Sequence, residues 1–166
     1  VRYISNESSG KQGYEIALAL NKLGIKTKLI IGPSNIVFSK DLKIKNITSA
    51  QEMMDEVKKS LPIDIAVCAA AVSDFKPINK SKNKIKKKDK NLSKISLEKN
   101  ADILEFLSKN NKARPGIVVG FSAETENVIQ NSKLKIKEKY CDLIIANDVS
   151  KKDIGFNSDF NKVSII

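Results

Sequence analysis

The chain has 166 residues, of which 41% are hydrophobic and 30% are charged, and its formal net charge is +11 at pH 7. This length and hydrophobic content suit one globular domain with a core and exclude a disordered chain. The chain has no histidine, which excludes Ser-His-Asp and Cys-His catalysis within it, and no apolar stretch approaches the ~20 residues that a membrane span needs.

Short β-branched segments alternate with helical ones. In chain order, their apolar periodicity predicts a helix at 9–23, strands at 28–31 and 42–47, a helix at 50–61 and a strand at 63–69. After a lysine-rich segment it predicts a strand at 94–97, a helix at 101–110, a strand at 116–121, a helix at 124–140, a strand at 143–146 and, without a partner, a strand at 162–166.

This alternation predicts an α/β fold, a doubly wound and mainly parallel sheet with helices on both faces. The segments 63–68 and 117–121 are continuously apolar, as buried parallel strands are. Ligands of such sheets bind beyond the carboxyl ends of the strands. The loops that should therefore share one face follow Ile31, Ala71, Phe121 and Ala146.

A polar, serine-rich loop precedes the first predicted helix and contains the glycine pair Gly10 and Gly13. The first backbone N–H groups of a helix have no partner within it, so an anion could bind there, beside Arg2, Asn6 and Lys11. The loop lacks the Walker A and G-x-G-x-x-G patterns. A capped helix with Ser8 or Ser9 as N-cap is the alternative interpretation.

Further polar segments follow three later strands. After the small residues Ala69 to Ala71, Asp74 could accept hydrogen bonds from a nucleoside, hold magnesium through water, or cap a turn. At 120–125 we expect a strand that turns into a helix, with Phe121 against a nucleoside and Ser122 or Thr125 as cap. The last segment, Asn147 and Asp148, could simply form a turn.

The positive charge is concentrated at 76–90, which holds eight lysines and one acid. Alternation places Lys84, Lys86 and Lys88 on one side of an extended arm, a pattern that fits a Lys-rich flap able to close over a polyphosphate. A solvated lysine segment is the alternative. The cysteines, Cys68 and Cys141, lie in apolar segments, which indicates reduced and buried thiols.

Five motifs occur in order: Arg-Tyr-Ile-Ser-Asn-x-Ser-Ser-Gly-x-x-Gly, Ala-Ala-Val-x-Asp, Lys-Ile-Lys-Lys, Gly-Phe-x-Ala-Glu-Thr and Ala-Asn-Asp-Val-Ser. With them the chain closely resembles the phosphopantothenoylcysteine synthetase domain of coenzyme A biosynthesis, usually the carboxy-terminal half of a bacterial bifunctional synthetase/decarboxylase. The resemblance covers residues 1–166 as a single CTP-binding synthetase domain. It implies a dimeric, Rossmann-like, cytoplasmic enzyme.

The resemblance also implies the reaction. The carboxylate of 4′-phosphopantothenate attacks the α-phosphorus of CTP with the help of Mg²⁺, and the amine of L-cysteine then displaces CMP. In-line displacement between bound groups depends on orientation and charge stabilisation, which suits a chain without histidine.

Site residues carry over by motif. Asn6 would hold the activated acyl group, Arg2 would organise its loop, and Lys84 would promote formation of the cytidylate. Phosphopantothenate would bind at Arg2, Asn6, Ser8, Ser9 and Gly10. CTP would bind at Ala70, Asp74, Lys84, Lys87, Asn100, Ala101, Asp102, Ile103, Phe121, Lys135 and Lys139. No metal-ligating residue is implied.

Three parts of the family pattern are absent from this sequence. They are a strand and Thr-Arg-Glu-Pro loop before Arg2, a strand and helix after Ile166, and the decarboxylase half, to which FMN belongs. We therefore expect a domain that is truncated at both ends. Preference between CTP and ATP stays open.

Two other function classes are alternatives to the ligase. A nicotinamide-dependent oxidoreductase would need a glycine fingerprint followed by an acid at the end of the next strand, and neither is present. A basic Rossmann-like module that binds nucleotide or nucleic acid without ligase activity is the alternative to the ligase. Nucleic acid is disfavoured because aromatic residues are 5% of the chain and none is interleaved among the lysines.

Overall fold

The structure, a computed structural model, describes residues 3–79, 81, 94–110, 112–150 and 161–166. Within these ranges there are four helices: α1 (Lys11–Lys22), α2 (Ala50–Ser60), α3 (Ile103–Ser108) and α4 (Val128–Lys139). The strands are β1 (Lys28–Ile31), β2 (Lys43–Asn46), β3 (Ile65–Cys68), β4 (Phe75–Pro77), β5 (Leu97–Lys99), β6 (Ile117–Glu124), β7 (Leu143–Asp148) and β8 (Val163–Ile165). The predicted Lys-rich flap, with Lys84 and Lys87, lies outside the described residues.

The strands form three sheets in the described part of the chain. β1 and β2 pair in parallel, β3, β6, β7 and β8 form a four-stranded sheet in that order, and β4 and β5 form an antiparallel ribbon. In the four-stranded sheet β3, β6 and β7 are parallel and β8 is antiparallel to β7. The prediction of an α/β fold with a mostly parallel sheet is confirmed, although the parallel strands are divided between two sheets.

Several boundaries differ from the predictions. β6 continues through Ser122 to Glu124, because these residues pair in register with Ala146 to Asp148 of β7. The predicted helix start at 124 and the proposed caps Ser122 and Thr125 are therefore wrong, and α4 begins after Asn127, which has φ 48°. The last strand was predicted to lack a partner, but β8 pairs with β7. β4 was not predicted, since its three residues carry no periodic signal.

The main core lies around the four-stranded sheet. Val118 of β6 and Ile144 of β7 have no exposed surface, and Met53, Met54 and Leu107 from α2 and α3 pack in the same cluster. Gly120 at the centre of β6 allows close packing, because a Cβ there would lie 2.7 Å from Ile144 Cδ1 and 2.8 Å from Leu104 Cδ2, and these side chains would have to shift. The sheet and α3 are thus packed at close range.

A second, smaller cluster joins α1 to β1 and β2. Tyr14, Ala17 and Leu42 are buried there. The Tyr14 hydroxyl accepts a hydrogen bond from the backbone N–H of Ser39 at 2.9 Å, and its ring meets Phe38 edge-on at 5.5 Å. This cluster places the start of α1 next to the carboxyl end of β1.

The two cysteines are free thiols, as predicted, but Cys68 is only partly buried. Cys141 is buried, and burial raises the pKa of the Cys68 thiol to about 12. Both side chains therefore stay protonated and inert at neutral pH. In the described part of the chain no helix is both long and apolar enough to cross a lipid bilayer.

Candidate functional site

One large cavity, of about 2000 Å³, lies between β1, the start of α1, β3 and the loops that follow the strands. It brings together most of the residues singled out from the sequence: Asn6, Ser8, Gly10, Ala70, Asp74, Asn100, Ala101, Asp102, Ile103, Phe121, Lys135 and Lys139. Ser9 is not part of its lining. Arg2, Lys84 and Lys87 lie outside the residues that the structure describes.

Two of the four loops that were expected to share one face meet at this cavity, because residues that follow Ile31 and Ala71 line it. Phe121 also lines it, but β6 continues beyond Phe121 to Glu124, so the predicted loop after Phe121 is wrong. The end of β7 does not line the cavity, and Asn147 and Asp148 belong to the strand itself. The Asn147 side-chain oxygen is buried without a hydrogen-bond partner in the described structure, and the Asp148 carboxylate accepts from the backbone N–H and hydroxyl of Ser150.

The serine-rich loop enters α1 through a glycine. Gly10 is the N-cap, with φ 77°, and no side chain caps the helix. The interpretation of Ser8 or Ser9 as N-cap is therefore wrong: their hydroxyls accept from the N–H groups of Gly10 and Lys11, two residues on, at 3.3 Å. The positive φ favours glycine at this position, and a Cβ on Gly10 would lie 3.0 Å from Ile31 Cδ1, so the loop runs close to β1.

The loop after β3 is held by asparagines from two sides. The Asn6 side-chain amide donates to the carbonyl of Val72 at 3.3 Å. The Asn100 side-chain amide donates to the carbonyl of Ser73 at 2.8 Å, and its backbone N–H donates to the carbonyl of Asp74 at the same distance. These bonds fix the small-residue loop between the serine-rich loop and the start of α3. No sequence pattern indicates the roles of Val72 and Ser73, because these residues accept through backbone carbonyls.

Lysines of α4 define the opposite wall. The Lys135 ammonium donates to the carbonyl of Phe121 at 3.0 Å. Lys139, one turn later on the same face, forms ion pairs with Asp102 at 2.7 Å and Glu105 at 3.5 Å. Glu105 was not singled out from the sequence, because its part depends on α3 and α4 being neighbours. Ser122, buried, exchanges a hydrogen bond with Ser132 at 2.9 Å and so fixes α4 on the sheet.

Asp102 has two functions at this wall. One carboxylate oxygen accepts from the backbone N–H of Glu105 at 2.8 Å and caps α3, while the other pairs with Lys139. Desolvation alone would raise the pKa of the Asp102 carboxyl, but the hydrogen bonds from Glu105 and Lys139 outweigh it and lower the pKa. The bond to Asp102 raises the pKa of Lys139.

The lowered pKa of Asp102 predicts an acid-sensitive contribution to stability. Its ionised form stabilises the fold above the ordinary pKa of 3.8, and this contribution is lost as the pH falls through the lower folded-state pKa. Asp102→Asn keeps an N-cap acceptor but removes the charge. We expect it to lower the free energy of unfolding at pH 7 by at most about 1 kcal/mol, since the pair is partly solvated.

The measurement is urea denaturation of both proteins between pH 7 and pH 3. The difference in unfolding free energy should shrink below pH 4, whereas Asp64→Asn, at an exposed aspartate before β3, should show little difference throughout. A deficit of Asp102→Asn that is undiminished at pH 3 would contradict the charge-based explanation.

The cavity is lined by a polar loop at a helix start, a loop of small residues and the two α4 lysines, Lys135 and Lys139. This combination is suited to an anionic ligand that carries a flat ring. Within the described ranges no group of three potential ligand side chains (His, Cys, Asp or Glu) converges on one point.

Comparisons with known proteins give one consistent result. The sequence profile of the family "DNA/pantothenate metabolism flavoprotein C-terminal domain" matches residues 1–166. Over 99% of this chain, the sequence is 40% identical to the coenzyme A biosynthesis bifunctional protein CoaBC of Vibrio vulnificus. Over 100% of this chain, it is 42% identical to the protein of the same name from Borreliella burgdorferi. It spans only 41% and 42% of the length of these two relatives.

A solved structure supports the same family. The fold superposes on the crystal structure of the C-terminal domain of the coenzyme A biosynthesis bifunctional protein CoaBC with a TM-score of 0.76 and 30% sequence identity. The match covers 100% of this chain and 77% of that one.

Proposed function

Because the chain belongs to the DNA/pantothenate metabolism flavoprotein C-terminal domain family, we propose that it is the CTP-dependent phosphopantothenate–cysteine ligase domain of coenzyme A biosynthesis. The observation that carries the proposal is the cavity of about 2000 Å³ that joins Asn6 and the serine-rich loop to Asp74, Phe121 and the lysines of α4. A ligase of this kind must hold an acid substrate and a nucleotide side by side, and positioning supplies most of the rate.

The proposed reaction has two displacements. In the first, a carboxylate oxygen of 4′-phosphopantothenate bonds to the α-phosphorus of CTP and the bond to pyrophosphate breaks, which gives an acyl cytidylate. In the second, the amine of L-cysteine bonds to the acyl carbon, loses a proton, and CMP leaves with the electron pair of the broken C–O bond. Neither step needs an imidazole base.

We assign the residues of the serine-rich loop to the acyl and phosphate end. Asn6 would bind the acyl cytidylate, beside Ser8, Ser9 and Gly10. Asn6 now donates to the Val72 carbonyl at 3.3 Å, a long bond that a ligand oxygen could replace at little cost. Arg2, Lys84 and Lys87 are assigned by motif alone, with Lys84 and Lys87 neutralising the triphosphate.

The nucleoside end would be formed by the loop after β3 and the start of α3. Ala70 is small enough for close approach of a base, Asp74 offers a carboxylate to the ribose, and Phe121 offers an aromatic ring. Ala101 and Ile103 follow Asn100, whose side-chain amide is committed to Ser73. Asn100 would therefore shape this wall rather than contact the nucleotide through that amide.

Mg²⁺ fits the proposal as an ion that enters on the phosphates of CTP, where it would neutralise charge on the leaving pyrophosphate. Asp74 is the carboxylate of the loop after β3 that lines the cavity. FMN would belong to the decarboxylase half of such bifunctional enzymes and not to this domain.

We further propose a homodimer and a cytoplasmic location. The β4–β5 ribbon and its flanking residues support the dimer because they expose four large apolar side chains, Phe75 and Leu97 in the strands and Ile78 and Ile95 beside them. The cytoplasmic location is supported by relatives that are named for coenzyme A biosynthesis, a metabolic pathway.

The test uses the full-length gene product with CTP, Mg²⁺ and 4′-phosphopantothenate, without cysteine. Mass spectrometry should detect pyrophosphate and the acyl cytidylate. Lys84→Gln should abolish both products, because the charge that stabilises the triphosphate is lost. Asn6→Asp should still form the cytidylate and let it accumulate after cysteine is added.

Folded protein that forms neither product with CTP or ATP would refute the ligase. Binding of RNA that weakens with salt and does not depend on CTP would then favour the nucleic-acid alternative. Lys133→Gln, at an exposed lysine of α4, is the control for removal of a charge and should leave both products unchanged.

A further inference from the structure

The cavity extends along the whole length of two strands. All four residues of β1 and all four residues of β3 line it. In the part of the chain that the structure describes, β1 pairs only with β2, and β3 pairs only with β6. Each strand therefore has one unpaired edge, and we call the space between these two edges the slot.

Backbone polar groups point into the slot. Successive residues of a strand direct their N–H and C=O groups to opposite sides. The Asp64 carbonyl accepts from the first residue of β6, so the groups of Val67 point away from β6. The Ile31 carbonyl accepts from the Ile47 N–H beside β2, so the groups of Ile30 point away from β2. Buried N–H and C=O groups need partners, and a further strand between β1 and β3 would supply them.

Helices cover the slot on both faces. Leu29 packs in the smaller cluster with α1, whereas Ile30 packs in the main core with α2. Both helices also reach β3, because Ala66 belongs to the main core and a Cβ on Gly13 of α1 would lie 3.8 Å from Ala69 Cβ. A strand in the slot would be shielded from water on both faces, so its side chains should be apolar on both.

The carboxyl ends of both strands lie at the start of α1. Gly10 lies close to Ile31 at the end of β1, and Asn6 donates to the Val72 carbonyl after β3. A parallel strand in the slot would end at this same edge and continue directly into the serine-rich loop. α1 would then be the crossover helix that joins the added strand to β1, the usual connection between parallel strands.

The sequence outside the described ranges does not suit the slot. Neither 80–93 nor 151–160 contains two adjacent apolar residues, whereas a strand that is covered on both faces is apolar on both. A segment outside residues 1–166 is therefore the better occupant. The position of the serine-rich loop favours the segment that precedes this loop.

We propose that a segment that precedes Val1 in the full-length protein forms an apolar, parallel β-strand in the slot, and that this strand anchors the serine-rich loop. The two parallel sheets then become one, in the order β2, β1, the added strand, β3, β6, β7 and β8. The strand fills the space between β1 and β3 and leaves the carboxyl edge, with Asn6 and Asp74, to a ligand. The inference does not depend on which ligand binds there.

The first test is hydrogen–deuterium exchange of the full-length gene product, resolved at single amides by mass spectrometry. With the slot filled, the amides of Ile30 and Val67 are hydrogen-bonded and should exchange about 100-fold or more slowly than the amide of Ile44. Ile44 is the matched control, because its backbone groups point away from β1 at the outer edge of β2. Equal exchange of the three amides in the folded protein would overturn the inference.

The second test compares two proline variants of the full-length protein. Proline has no N–H group, so a strand tolerates it only where this group has no partner strand. Val67→Pro should speed exchange in the segment before Val1 and in residues 3–10 by about 10-fold or more, or unfold the protein, while Ile44→Pro should leave both segments unchanged. If Val67→Pro were tolerated as well as Ile44→Pro, β3 would have an open edge and the inference would fail.

The source of the strand and the proposed function are tested separately. Protection of Ile30 and Val67 that is lost on dilution would mean that a second copy of the chain supplies the strand, which overturns its assignment to the same chain. None of these measurements uses a nucleotide, so their failure leaves the proposed ligase standing. In the same way, absence of ligase products leaves the strand standing.

Discussion

Ile144→Ala is expected to lower the free energy of unfolding by about 2–5 kcal/mol, the cost of removing a large aliphatic side chain from a core that cannot fully collapse. Ile144 has no exposed surface and is the second residue of β7, where it packs on Gly120 and the main core. The strands on both sides hold the backbone in place, so the cavity should remain.

Urea denaturation at pH 7 provides the measurement, with the midpoint falling and the slope unchanged. Ile129→Ala is the matched control: Ile129 lies on α4 with 46% of its surface exposed, and its replacement should change stability by less than about 0.5 kcal/mol. Equal losses for the two variants would mean that the four-stranded sheet is not the stabilising core.

Lys135→Met is expected to weaken CTP binding by about 10- to 100-fold, the range for loss of one charge-assisted hydrogen bond. Methionine preserves most of the apolar stem and removes the ammonium, so packing against the sheet is largely retained. Lys135 lines the cavity, and its bond to the Phe121 carbonyl at 3.0 Å places the charge beside the proposed nucleoside site. No carboxylate is paired with it in the described structure, in contrast to Lys139.

Titration calorimetry with CTP measures this effect, and urea denaturation of the same variant checks that the fold is retained. Lys133→Met and Lys137→Met are controls, because both lysines are exposed on the same helix and neither lines the cavity. If all three variants weakened CTP equally, the effect would come from net charge and not from the position of Lys135.

The sequence-based predictions agree with the structure where the local pattern of a segment determines its secondary structure. The predicted strand at 28–31 matches β1, and the helix predicted at 50–61 ends one residue later than α2. Ser49 caps α2, and Glu52 reaches back to Thr48, so the signals for that helix are all local. Lys135 and Lys139, which the family resemblance assigns to the CTP site, both line the cavity.

The predictions were wrong where contacts with a neighbouring element determine the secondary structure of a segment. Ser122 and Glu124 are polar and read as a helix start, but partners on β7 keep them in the strand. The suggested turn at Asn147 is also wrong, because Asn147 pairs with Ala123 of β6 and belongs to β7. The N-cap of α1 is Gly10 rather than a serine because the backbone there has a φ of 77°, which glycine adopts without strain.

By itself the sequence determined the α/β class, most of the helices and strands, and the residue types of the candidate site, since these depend on periodicity, composition and motif order along one chain. The tertiary structure alone decided which of these residues meet. It placed Asn6 against Val72, Asn100 against Ser73, and Glu105 beside Lys139. Such contacts join residues from 27 to 66 positions apart, and hydrogen bonds and charge act over a few ångströms of space, whatever the separation along the chain.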